Sequence, residues 1–101
     1  MMDENKLEQE LQDKNLNAPR LNPQMIDATI LAEQYYIDLG TVMTVCCLTL
    51  QNGYNVVGTS APASPNNFNE EIGRKLAKDK AREQIWALEG YLLKSKLKET
   101  I

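Results

Sequence analysis

The chain has 101 residues, 43% of them apolar, and a formal net charge of −3. That length suits one small domain with a packed core. No apolar run reaches the roughly 20 residues that a membrane-spanning helix needs. Histidine is absent and the only two cysteines are the adjacent Cys46 and Cys47. This removes Ser-His and Cys-His nucleophile pairs and any ordinary zinc site.

Charge is segregated along the chain. Residues 1–15 carry −3, residues 16–71 carry −4 and residues 72–101 carry +4. An acidic total argues against non-specific binding to nucleic acid, while the local basic excess suits a small anionic ligand. No secretory pattern opens the chain. Neighbouring residues on a strand point to opposite faces, so Cys46 and Cys47 are expected as free thiols in a reducing cytosol.

Residues 1–17 read as an acidic arm, a frayed helix or disordered chain, with only a thin apolar stripe at Leu7 and Leu11. Residues 18–101 read as a single α+β domain. Leu16 to Leu21 contains Pro19 and reads as extended linker. Asn22-Pro23 opens a helix by the cap-then-proline rule; Met25, Ile26, Thr29 and Ile30 give it one modest apolar face, and it is expected to end near Tyr36.

Thr41 to Leu50 and Tyr54 to Ser60 are rich in β-branched residues, and Asn52-Gly53 between them signals a hairpin. A two-residue turn, with both central residues at positive φ, would pair Leu50 with Asn55, Thr49 with Val56 and Leu48 with Val57. Both faces of that hairpin are largely apolar, so both are expected to be covered. The outer edge of its first strand is long and apolar, a liability unless it is paired.

Gly58 to Asn67 is a loop by composition. It leads into a long helix with Asn67 as cap and Glu70 three residues later. On that helix Ile72, Leu76 and Lys80 recur every four residues, with Gly73, Ala77, Ala81, Gln84 and Leu88 beside them. Arg74, Lys78 and Arg82 form a basic stripe on the other side. Trp86, Gly90, Leu93 and Leu97 form a second apolar face, where Gly90 marks either a kink or a close backbone approach. A helix apolar on two faces in so short a chain points to a partner copy. The fold class is therefore α+β: an N-terminal helix, an antiparallel β-hairpin and a long C-terminal helix, assembled as a homo-oligomer, with Trp86, Leu93 and Leu97 as interface.

The same helix start offers free backbone N–H groups, amides, the Phe68 ring and cations, a set that suits a nucleotide-like ligand. Asn67, Phe68, Arg74, Lys78 and Arg82 are the candidate ligand residues, with Arg20 reaching across from a partner chain. The bland reading of the same residues is a capped helix, a core phenylalanine, a solvated charged face and a solvated Arg20. No phosphate-loop or dinucleotide glycine pattern is present, and no cofactor is called for. No spaced carboxylate pair or activated lysine marks an enzyme.

The runs LTLQNGYNVVGTSA, SPNNFNEEIGRKLAKDKA and QIWALEGYLLKSKL, together with PRLNPQMIDATI, resemble the phage gene forty-nine / gene sixty-six family of small tailed-phage accessory proteins. The resemblance covers roughly residues 18–97 and implies a phage origin, with the host cytoplasm as the expected location, in a family with no established enzymatic activity. More distantly the chain is similar to the phage anti-Thoeris sponge proteins, which are small, place a sheet before helices, assemble from dimers and hold cyclic nucleotide immune signals without cleaving them. That likeness implies a counter-defence sponge binding a cyclic nucleotide at a subunit interface. The alternative is a protein–protein adaptor that binds or inhibits a host protein through its strand edge or the Trp86 stripe.

Overall fold

The computed structural model describes residues 3–16 and 18–100. The elements in chain order are α1 (Glu4–Asp13), α2 (Pro23–Ala28), β1 (Ile30–Asp38), β2 (Met43–Leu50), β3 (Asn55–Ser60), a 3-10 turn (Pro65–Asn67) and α3 (Glu70–Glu99). The strands form one antiparallel sheet in the order β1-β2-β3, and α3 lies across one face of it. The α+β class with an N-terminal helix, an antiparallel hairpin and a long C-terminal helix is as the sequence indicates.

The helix opened by Asn22-Pro23 is much shorter than expected. Asn22 caps it, its side chain accepting from the Met25 amide at 2.9 Å, but it ends at Ala28 and the chain continues as β1. Tyr35, Tyr36 and Ile37 are strand formers, and here they outweigh the weak apolar face that suggested a helix to Tyr36. The consequence is topological. β1 pairs with β2 from Asp38↔Met43 to Ile30↔Leu50, with an irregularity at Leu31, so the strand edge expected to need a second copy is filled by this chain itself.

The hairpin register is shifted by one residue from expectation. Thr49 pairs with Asn55, Leu48 with Val56 and Cys47 with Val57. The turn has three residues, not two. The Gly53 amide donates to the Leu50 carbonyl and the Leu50 amide donates to the Tyr54 carbonyl. Gly53 takes φ +89° while Asn52 stays at negative φ, which is the type I turn with a glycine bulge. A one-residue slip exchanges faces along the whole strand: Val56, not Val57, lies beside Leu48 and is buried, and Val57 is 46% exposed on a face that was also expected to be covered.

The core lies between the inner sheet face and α3. Thr44, Cys46, Leu48 and Leu50 from β2 and Val56 from β3 meet Ala77, Ala81 and Ile85. Small residues allow a close approach. A Cβ on Gly58 would overlap the Ala77 carbonyl oxygen and the Ala81 backbone nitrogen, and one on Gly73 would come within 2.6 Å of Thr44 Oγ1. The stripe of α3 that meets the sheet is thus Gly73, Ala77, Ala81 and Ile85, the last three of them buried. Ile72, Leu76 and Leu88, which the apolar spacing suggested, are 55%, 36% and 38% exposed. The cap of α3 is Asn69, not Asn67: its side chain accepts from the Ile72 amide at 3.0 Å, and Pro65 opens the 3-10 turn that precedes the helix. α3 is one continuous helix through Gly90.

The arm is helical from Glu4 to Asp13. Asp3 caps its start, accepting from the Lys6 amide at 3.0 Å. Asn15 ends it with φ 57°, and the bonds from the Asn15 amide to Gln12 and from the Leu16 amide to Leu11 form a Schellman closure.

Candidate functional site

The structure engages each candidate cation internally. Arg74 pairs with Glu70 one turn earlier and stacks over the Tyr35 ring, 5.6 Å from its centroid. Lys78 reaches Glu33 on β1 at 2.8 Å. Arg82 holds both carboxylate oxygens of Glu4, at 2.8 and 2.9 Å, and Asp27 at 3.0 Å. Its side chain is only 12% exposed. Burial alone would lower the Arg82 pKa, but the hydrogen bonds to Glu4 and the charges of Asp27 and Glu4 raise it. Arg20 makes a two-point pair with Glu8, its Nη2 lying 2.8 Å from Oε2, which raises its own pKa.

These pairs stand in two places. Arg20 and Arg82 tie α1 and the linker to α3, and Trp86 Nε1–H adds a bond to Glu4 Oε1 at 3.1 Å. Arg74 and Lys78 face β1. Asn67 is in the 3-10 turn and Phe68 follows it, partly buried beside Gly73. The amide groups at the start of α3 are served by Asn69, and Glu70 and Glu71 occupy the first turn, placing negative charge where an anion would bind.

Two other surfaces stand out. One is a groove of about 630 Å³ between α1 and α3, floored by Leu7, Leu11, Leu21 and Trp86. Its walls carry Asp3, Glu4, Glu8, Asp79 and Glu83 against a single guanidinium, Arg82. The other is the outer face of the sheet. There the register brings together Gln34, Tyr36, Val45, Cys47 and Val57, with Tyr36 56% exposed. The Tyr36 hydroxyl donates to Gln34 at 2.7 Å and Thr49 donates to Asn55 at 3.0 Å. Asp38 is the one charge carried there by the strands.

On the inner face, burial, with Cys46 and Glu33 nearby, pushes the Tyr35 hydroxyl up to about 12. Burial likewise raises the Cys46 thiol. Both groups stay neutral near pH 7, so neither supplies a ready nucleophile or base.

The acidic partners Glu4, Asp27 and Glu33 were not picked out from sequence. The signal for them was the opposition of the acidic residues 1–71 and the basic C-terminal helix, which favours pairing between the two.

Among known sequences, residues 21–97 match the Phage protein (N4 Gp49/phage Sf6 gene 66) family. The chain belongs to that family. Comparison with curated proteins and with solved structures returns no match. Among the described residues, no helix is long and apolar enough to cross a membrane. The match begins at Leu21, so α1 and its acidic contacts lie outside the matched stretch, whereas the sheet and nearly all of α3 lie within it.

Proposed function

We propose that this family member is a non-catalytic phage accessory protein that binds a host protein through the outer face of its sheet. The observation that carries this reading is the contrast between that face and the cations. The face leaves Tyr36 and Val57 about half exposed on an almost uncharged surface, which suits an apolar protein patch with a polar rim. Arg20, Arg74, Lys78 and Arg82 are all engaged by carboxylates of their own chain. A cyclic nucleotide would have to displace those carboxylates, so the sponge reading ranks second.

Two measurements separate the readings. A protein captured from host lysate and then reconstituted in pure form loses affinity on Tyr36→Lys or Val57→Lys and keeps it on Arg74→Gln. In parallel, a panel of cyclic nucleotides leaves the melting temperature unchanged. A nucleotide present at about 100 times its Kd would add ~2.7 kcal/mol. A stabilisation of that size, abolished by Arg74→Gln or Lys78→Gln, would replace the adaptor reading with the sponge.

A further inference from the structure

We infer that a second copy of this chain docks antiparallel along α3, its Leu93 and Leu97 entering the groove between α1 and α3. This surface is separate from the outer sheet face. Asp79, Glu83, Trp86, Gly90, Leu93 and Leu97 follow one another at alternating spacings of four and three. They therefore lie on one stripe of the helix, the spacing of helix–helix seams. The first half of the stripe borders the groove. The second half runs past the core: no residue of α3 beyond Ile85 is buried, and Leu93 and Leu97 remain partly exposed.

The two halves have opposite charge. The groove carries five carboxylates and one guanidinium, and no ion pair engages Asp3, Asp79 or Glu83 among the described residues. The far half carries Lys94, Lys96 and Lys98, likewise without ion pairs among the described residues. Antiparallel packing about a two-fold axis between Leu88 and Glu89 brings Lys94 and Lys98 of each copy toward Glu83 and Asp79 of the other. Both contacts form at once, as a self-complementary dimer requires. Gly90 lies close to the crossing, where an added Cβ would touch Leu21 Cδ1 at 3.9 Å, so the Leu21 side chain on the groove floor borders the seam. A parallel arrangement would set carboxylate against carboxylate.

Sedimentation of the full chain tests this. The wild type is expected to be a dimer, and Leu93→Glu with Leu97→Glu to weaken it by about 30-fold or more, the effect of removing an interface hot spot. Glu83→Lys also weakens it, and adding Lys94→Glu to that same chain restores it, a rescue that simple misfolding would not give. A wild type that is monomeric at high concentration overturns the inference, as does a dimer indifferent to the leucine pair. Should the leucine variant lose its circular dichroism, the charge pair decides: failure of Lys94→Glu to rescue Glu83→Lys also overturns it.

Discussion

β2 presents two faces built from alternate residues of one strand, and they have met different fates. Thr44, Cys46, Leu48 and Leu50 are buried under α3; Met43, Val45, Cys47 and Thr49 are only partly covered. The composition of the two sets is similar, so hydrophobicity did not decide which would be sealed. The partner did. α3 offers glycine and alanine at Gly73, Ala77 and Ala81, and it comes down onto the face where Gly58 leaves room for its backbone. A sheet face is closed where another element can approach closely, and the remaining apolar face is left for binding.

The largest expected effect compares the faces directly. Leu48→Ala opens a cavity in the sealed layer and should cost about 2–5 kcal/mol. Val57→Thr on the open face should stay within about 0.5 kcal/mol. Urea unfolding of the two variants reads the difference, and equal losses would mean that the outer face is also core. Cys46 and Cys47 give the same comparison without a mutation: a thiol reagent should label Cys47 in the folded protein and Cys46 only on unfolding.

Gly58→Ala tests the close approach itself. The new methyl meets backbone rather than a flexible side chain, so helix and sheet must separate. A loss of about 1–3 kcal/mol or more is expected. The same change at Gly53, also to Ala, has nothing within 4 Å to strike. Any cost there comes from its positive φ alone, about 1 kcal/mol, and the ratio of the two losses measures steric contact against backbone preference.

Much of this architecture was legible in the sequence. The two runs around Asn52-Gly53 do pair, and the long helix is present. What failed shares a physical cause: choices between near-equal local options were settled by distant contacts. Asn-Gly serves both the two-residue turn and the three-residue turn with a bulge, and burial of Val56 under α3 selects the second. Asn67 and Asn69 are both competent caps. Ile30–Asp38 joins the sheet because β2 has an edge to fill. The cations were visible, but their partners were not, since Glu4 lies 78 residues from Arg82. The apolar stripe of α3 misled because its close contact uses the smallest residues, which spacing by hydrophobicity undervalues.

A smaller effect is expected at Thr44. Its hydroxyl is buried on the sealed face without a hydrogen-bond partner among the described residues. Thr44→Val keeps the shape and removes the unpaired group. Stability should be unchanged or rise by up to about 1 kcal/mol, read as a shift in melting temperature. A clear loss would show that the hydroxyl is satisfied in solution.

The weakest effect concerns α1 and follows from Glu8. Hydrogen bonds from Arg20 first and Gln12 second hold its carboxyl below the ordinary 4.5, against a smaller opposing push from burial. A carboxyl whose pKa is lowered by folding stabilises the folded state fully above its unfolded value. That contribution is lost as pH falls through the folded value. Acid should therefore loosen α1 as the pH falls below the ordinary carboxyl value and through the lowered one, while the sheet and α3, joined by apolar contacts, persist. Trp86 reports the event, because its indole is bonded to Glu4 on the same helix. In Glu8→Gln the carboxyl is gone, so the variant should show a more mobile α1 at neutral pH and lack this part of the acid transition. Identical acid profiles for Trp86 in the two proteins would show that Arg20 and Glu8 do not hold the arm, leaving Glu4 as its anchor to α3.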